Sequence, residues 1–314
     1  MPDVVFIGLS HWHVPLHMKA AREAGLRIAG GFDDDTALCR AWAEQEKTAA
    51  YPSVEAALAG RPGLAIITGT PLDMPGRLTT ALDHGVPVLI EKPVARATRG
   101  IAALAERALR ENRFVAVALP HRHGPIAALQ RPDVRHFAFR LVNGPPQRYR
   151  AWNAAWLLDP TIGGGGALRN LGLHGLDLAR TMLGDGLTVT SATFRRWHGL
   201  PVEDHVMVQL ADTEGRTATV EAGYLHPAEM GSDFEIRVIG EGAVVTETAD
   251  EVRVTGMDGI TSRKSMTPLH HRYDVLLADL RDRLRDGRPP AADLSDLSSA
   301  MALADVAYAK EATP

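Results

Sequence analysis

One cysteine, Cys39, stands in 314 residues, so an intrachain disulfide framework is excluded and a reducing compartment is expected. On its helical segment Cys39 reads as a small core residue. Basic residues are not in excess either. The formal net charge is -4, and no Lys/Arg cluster tracks phosphates, which argues against a nucleic-acid partner. No apolar run approaches the ~20 residues that span a membrane, so no membrane partner is expected. The first residues run straight into Val4-Val5-Phe6-Ile7-Gly8, without a basic region or a small-residue cleavage site. A cytoplasmic chain without a secretory signal is the expectation. Internal repeats and low-complexity segments are also missing.

What remains is an ordinary globular composition, 45% apolar and 23% charged, with a length that allows about two domains. The first ~120 residues alternate between strand and helix patterns, the sign of βαβ units and a parallel sheet. Strands are expected over Val4–Leu9, Leu26–Phe32, Leu64–Thr68, Val88–Ile90 and Phe114–Leu119. Helices are expected over Val14–Ala24, Thr36–Lys47, Ser53–Ala59 (with Ser53 as N-cap), Met74–His84 and Thr98–Asn112. After Pro120 the pattern changes to a period of two. Phe137, Phe139 and Leu141 fall on one face of Val134–Val142, and His136, Ala138 and Arg140 on the other. Similar strands are expected at Thr188–Arg195, His205–Leu210, Thr217–Tyr224, Phe234–Ile239, Ala243–Thr248 and Val252–Thr255. Helices over Tyr273–Arg285 and Leu294–Lys310 close the chain. The fold class is therefore α/β, with βαβ units on a parallel sheet over 1–119. Residues 120–314 form an α/β domain with an open-faced, mainly antiparallel sheet. Few helices remain to cover that sheet, so an exposed apolar face and a homo-oligomer through it are expected.

Val86-Pro87-Val88-Leu89-Ile90-Glu91-Lys92-Pro93 organises the first domain. A buried strand stops abruptly in a carboxylate, an ammonium and a proline that cannot continue the ladder. Ligands of open α/β sheets sit outside the carboxyl ends of the strands, so Glu91 and Lys92 should face the ligand crevice. The first βα turn, Gly8-Leu9-Ser10-His11-Trp12-His13, keeps one glycine of the Gly-x-Gly-x-x-Gly pattern that cradles pyrophosphate. Ser10 replaces the second glycine and His13 the third, which implies a shifted helix or a different turn. Asp33 ends the second strand, where a carboxylate accepts from the ribose of NAD; with Asp34 and Asp35 it disfavours the 2′-phosphate of NADP. His11, His13 and His17 also offer metal-ligand types, which raises a metal-dependent (β/α)8 hydrolase as a rival. The loss of βα alternation after residue 119 counts against that barrel, and no metal is expected.

In the second domain, four glycines, Gly163 to Gly166, precede a helix. Leu168, Leu171, Gly172, Leu176, Ala179, Met182 and Leu183 form its buried face. Asn170, His174 and Asp177 share another face, an amide, an imidazole and a carboxylate suited to a hydroxylated ligand. Tyr149 to Trp156 is aromatic-rich, so Arg148, Tyr149, Trp152, Asn153 and Trp156 are candidates for the substrate pocket.

With Gly8, Asp33, Thr70-Pro71, Glu91-Lys92-Pro93, Arg122-His123-Gly124-Pro125 and the glycine-led helix ending in His174, the chain resembles the Gfo/Idh/MocA oxidoreductases over nearly its whole length. That resemblance implies a Rossmann domain, NAD rather than NADP, and a sugar, inositol or related polyol as substrate. It implies cofactor contacts from Gly8, Ser10, His11, Trp12, Asp33, Thr70, Pro71, Glu91, Lys92 and Arg122. Lys92 would stand between nicotinamide and substrate, and His174 would be the acid/base. Substrate contacts would come from Lys92, Trp152, Asn170 and His174. Two departures are visible: Asn170 stands where the family has Asp, and Pro75 where it has His. A sensor of the same fold, or an NAD-dependent glycosidase, is the alternative.

Overall fold

The computed structural model describes residues 3–129, 133–265 and 271–311. The first part runs β1 (Asp3–Ile7), α1 (Val14–Glu23), β2 (Arg27–Phe32), α2 (Thr36–Glu46), β3 (Ala49–Ala50) and α3 (Val54–Ala59). It continues with β4 (Leu64–Ile67), α4 (Met74–His84), β5 (Val88–Ile90), α5 (Ala102–Arg110) and β6 (Val115–Val117). Then come β7 (Val134–Asn143), α6 (Gln147–Ala151), α7 (Pro160–Gly163), a π turn over Leu168–Gly172 and α8 (Leu173–Leu183). Seven strands follow: β8 (Thr188–Arg195), β9 (His205–Ala211), β10 (Thr217–Gly223), β11 (Ser232–Gly240), β12 (Ala243–Thr248), β13 (Glu251–Gly256) and β14 (Thr261–Ser265). The last elements are α9 (Arg272–Asp286) and α10 (Leu294–Glu311).

Two compact units result, and neither is contiguous in sequence. The first gathers 3–120, 152–154 and 271–298; the second gathers 121–129, 133–151, 155–265 and 299–311.

The first unit is built on a parallel sheet in the order β3-β2-β1-β4-β5-β6. This is the order of dinucleotide-binding sheets, which reverses direction beside β1 and opens a crevice at the carboxyl ends of the strands. Val4, Phe6, Leu64, Ile66 and Leu89 are buried because helices cover both faces, so the strands read as unbroken apolar runs. Ser53 caps α3 by accepting from the Ala56 amide at 3.1 Å, as expected. α9 also belongs here. Its Tyr273, Leu276, Leu277 and Leu280 share one core with Val14, Met18 and Ala21 of α1. A boundary at 119/120 thus separates the strands but not the closing helices.

The second unit carries an eight-stranded sheet in the order β14-β13-β12-β11-β7-β10-β9-β8, antiparallel except between β7 and β10. α8 lies directly on it. A Cβ at Gly175 would fall 2.5 Å from the Phe139 ring and 2.8 Å from Val220, so only glycine allows this approach. One expectation about this sheet is corrected. Its exposed residues are mainly polar and charged, with Met207 among them: Arg140 donates to Glu221 at 3.0 Å and to Asp233 at 3.5 Å, and Glu235 and Arg237 follow along β11. The two-residue β3 and the wholly exposed β14 were beyond sequence reading, since neither shows apolar alternation.

Candidate active site

In the first unit, β1 ends at Gly8, whose φ of +93° already favours glycine. A side chain there would also collide with the Thr68 carbonyl and with Arg77 Nη1, 2.5 Å from the would-be Cβ. The Gly8 amide donates to Phe32 at 2.8 Å, tying the turn to the end of β2. Asp33 completes the tie. Its Oδ2 accepts the amides of Leu9 at 2.6 Å and Ser10 at 3.0 Å, and its Oδ1 accepts that of Asp35 at 3.0 Å. A carboxylate offers about four acceptor sites. Three are used here, so one remains for a ribose hydroxyl. Thr70 is drawn into the turn before α4, its hydroxyl donating to Asp73 at 2.6 Å, and Pro71 is buried beside it.

His13 resolves the missing third glycine. α1 begins only at Val14, and the His13 imidazole turns inward, 3.0 Å from Glu91 Oε1. One helical turn on, His17 Nε2 lies 2.8 Å from the same oxygen. The Tyr273 hydroxyl lies 3.0 Å from His13 Nδ1 and donates to Glu91 at 3.4 Å. His11 Nδ1 accepts from the His13 amide at 3.2 Å, and the His11 ring stacks on Trp12 with centroids 3.9 Å apart. Glu91 was expected to face the ligand crevice. Instead it is 1% exposed and held by this cluster, an internal anchor rather than an outward charge. Burial alone would raise its pKa, but His13 and His17 outweigh burial and hold it well below the usual carboxylate range. Burial also keeps His13 and His11 below the ordinary imidazole value.

The (β/α)8 metal-hydrolase rival fails on topology, because the sheet is open, with β3 and β6 at its edges, rather than closed into a barrel.

Lys92 follows Glu91 across the end of β5 and is 4% exposed. Burial lowers its pKa to about 8, with the Glu91 charge opposing the shift. An ammonium close to neutrality is suited to polarising a substrate oxygen.

In the second unit, the glycine loop is pinned by a buried carboxylate that sequence reading missed. Glu203 accepts the amides of Gly166 and Leu168 at 3.0 and 2.9 Å and the Tyr308 hydroxyl at 2.7 Å. The π turn that follows changes the register expected for Asn170, His174 and Asp177. Such turns recur at functional sites. Asn170 donates to the Tyr224 hydroxyl at 3.2 Å, and the Tyr149 ring packs 4.8 Å from that of Tyr224. Burial pushes the Tyr149 phenol up to about 12, so it stays protonated, and its oxygen accepts from Asn143 Nδ2 at 3.3 Å. His174, 6% exposed, meets His121 edge to face at 4.7 Å. His121 itself stacks on Phe234 at 5.3 Å. Arg122 donates to both carboxylate oxygens of Asp177, at 2.7 and 2.6 Å. That bidentate pair ties the segment after β6 to the helix of His174. Arg148 donates to the Gly231 carbonyl at 3.1 Å. Trp152 and Asn153 group with the first unit, and half-buried Trp156 with the second.

Residues 133–246 match the sequence model of the GFO/IDH/MocA C-terminal domain. A D-apiose dehydrogenase of Rhizobium rhizogenes is 25% identical over 260 residues, 73% of this chain and 71% of its own. An oxidoreductase of Agrobacterium radiobacter, solved with NAD+, L-tartaric acid and magnesium, superposes with a TM-score of 0.86 at 20% identity, covering 99% of this chain and 96% of that one. An inositol dehydrogenase homologue of Azotobacter vinelandii, solved with NAD+, does so at 0.83 and 17%, with coverage of 99% and 96%. The chain shares its fold with these two solved structures.

Proposed function

We propose that the protein is an NAD-dependent dehydrogenase of a sugar, inositol or related polyol. The observation that carries this is the dinucleotide-type sheet with Asp33 at the end of β2 and Lys92, buried, at the end of β5. The names of its relatives, a sugar dehydrogenase and an inositol dehydrogenase homologue, agree with it. Bound nicotinamide supplies the hydride acceptor. Gly8 and Ser10 let the turn approach the dinucleotide, and Asp33 receives a ribose hydroxyl. Lys92 holds the reacting oxygen and stabilises the charge that develops on it. His174 takes the hydroxyl proton. Asn170, fixed by Tyr224, orients the substrate, and Trp152 contributes a contact. A cytoplasmic homo-oligomer joined through the charged sheet face completes this reading; light scattering at two ionic strengths tests the assembly.

Titration with NADH, read by energy transfer from the tryptophans, tests the cofactor, and a polyol and keto-sugar panel tests the substrate. His174→Ala is expected to lose about a hundredfold or more in turnover with NADH affinity retained. Unchanged turnover in that variant removes His174 from the mechanism. NADH binding without turnover on any panel member would favour a sensor, for which the neutral Asn170 is the motivating observation.

A further inference from the structure

A cavity of about 380 Å³ opens in the first unit where β6 begins. It lies at the end of the parallel sheet opposite Gly8, Asp33 and Lys92, between α5, α9 and the turn into α10. The sequence makes the space. Ala105, Ala108 and Leu109 share one face of α5, because residues three and four apart are neighbours on a helix. The two alanines carry only a methyl group, so the helix leaves a hollow beside α9. Phe114, Leu284 and Leu294 complete an apolar wall. The turn into α10 is fixed in place: Val117 donates to the Ala292 carbonyl at 3.0 Å, which ties that segment to the edge of β6.

The guanidinium groups of Arg113, Arg283 and Arg288 border that wall. Each uses only part of its donors within the fold. Arg283 donates from Nε to Asp279 at 2.6 Å and from Nη1 to the Pro289 carbonyl at 2.9 Å. Arg113 Nε donates to Glu111 at 3.3 Å, and Arg288 Nη2 to Asp286 at 3.4 Å. A guanidinium has more N–H groups than these bonds occupy, so each keeps donors for another acceptor. The acids that pair with them do not line the cavity. Asp293 does, but its Oδ1 accepts the amides of Ser295 and Asp296 at 2.8 and 3.0 Å, where α10 starts. The lining is thus apolar on one side and cationic on the other.

We propose that this cavity binds a small amphipathic carboxylate, its hydrocarbon or aromatic body on the apolar wall and its carboxylate on the arginines. A guanidinium matches a carboxylate in geometry as well as in charge. A concave, largely apolar wall with a few convergent polar groups is the usual form of a ligand site. A polyol, the class proposed as substrate, offers neither the charge nor the apolar body, so this cavity takes a different molecule. Nothing in it depends on a bound dinucleotide.

The test is calorimetric titration of the full chain with octanoate, and with octanol and acetate as probes that lack the charge or the chain. Octanoate should bind about tenfold or more tighter than either, the scale of one charge-assisted hydrogen bond or a few buried methylenes. Arg113→Gln and Arg288→Gln remove only long, partly exposed ion pairs, so the fold should survive them. Each should weaken octanoate about tenfold and leave octanol unchanged. Ala108→Leu fills the hollow and should weaken both. Absence of octanoate binding, or octanoate bound no tighter than octanol or acetate, overturns the assignment. So does octanoate binding that both arginine variants, or Ala108→Leu, leave unaltered. The probe comparison uses the wild type alone, so the test holds even if a variant does not fold.

Discussion

Lys92→Met is expected to be both inactive and more stable than the wild type. Loss of a positioned donor to a developing oxyanion costs about 100- to 1,000-fold in turnover. Stability should move the other way. Lys92 is buried, and its pKa falls from 10.5 to about 8. Between those values the unfolded chain holds a proton that the folded chain has released, so wild-type stability rises with pH across that window. Below about 8 both states hold the proton, and the full penalty applies, an upper bound of roughly 3 kcal/mol from the linkage relation. Met keeps the apolar stem and removes the charge, so a gain of roughly 1–3 kcal/mol is expected near pH 7, disappearing above pH ~10.5. Urea unfolding of both proteins at pH 7 and near pH 10.5 measures it. A Lys92→Met protein less stable than wild type at pH 7 would show that the ammonium supports the fold. Wild-type turnover should also fall as pH rises past about 8, when Lys92 loses its proton.

The second large effect concerns Glu91. Its Oε1 serves His13, His17 and the Tyr273 hydroxyl, all within the first unit. Glu91→Ala leaves two imidazoles and a phenol around a cavity. Each buried polar group left unsatisfied costs about 1–3 kcal/mol, so losing the shared acceptor takes a large share of a domain's stability. Glu91→Gln keeps an acceptor and should cost less. The pH dependence separates charge from shape. Glu91 has a folded pKa well below its unfolded value, so its contribution is present above about 4.5 and is lost as pH falls below that. His13 and His11 are depressed from 6.5, so their contribution is lost as pH falls below 6.5. Acid unfolding of the wild type should therefore begin below pH 6.5 and steepen below 4.5, and Glu91→Gln should lack the second part. An unaltered acid profile in Glu91→Gln would mean that the carboxylate carries no charge in the native state.

The strands and helices were legible in the sequence wherever periodicity was strong: α4 and β5 lie where the apolar spacing put them. The place of Asp33 at the end of β2 was legible too, because apolar spacing fixes where that strand stops. Glu91 was misread because a motif gives the order of residues but not the direction of a side chain. The histidines that turn it inward lie 74 and 78 residues away. Arg77 left only a faint trace, a cation on the buried face of α4 beside Met74, Leu78 and Ala81. Tyr273 left none, since its partner is 182 residues distant. Glu203 and His121 belong to the same class, set by tertiary contact alone.

Tyr273 and the leucines of α9 complete the core that α1 begins. On the ribosome the first 120 residues emerge long before α9 is made. About 150 further residues must follow, roughly 8–30 s at ~5–20 residues per second. During that interval the face of α1 that carries Val14, His17 and Met18 lacks its partner, and Glu91 lacks its phenol. The unit built on the parallel sheet, though it begins the chain, is therefore the one whose folding finishes late, and its nascent form is the stage at which a chaperone would be needed.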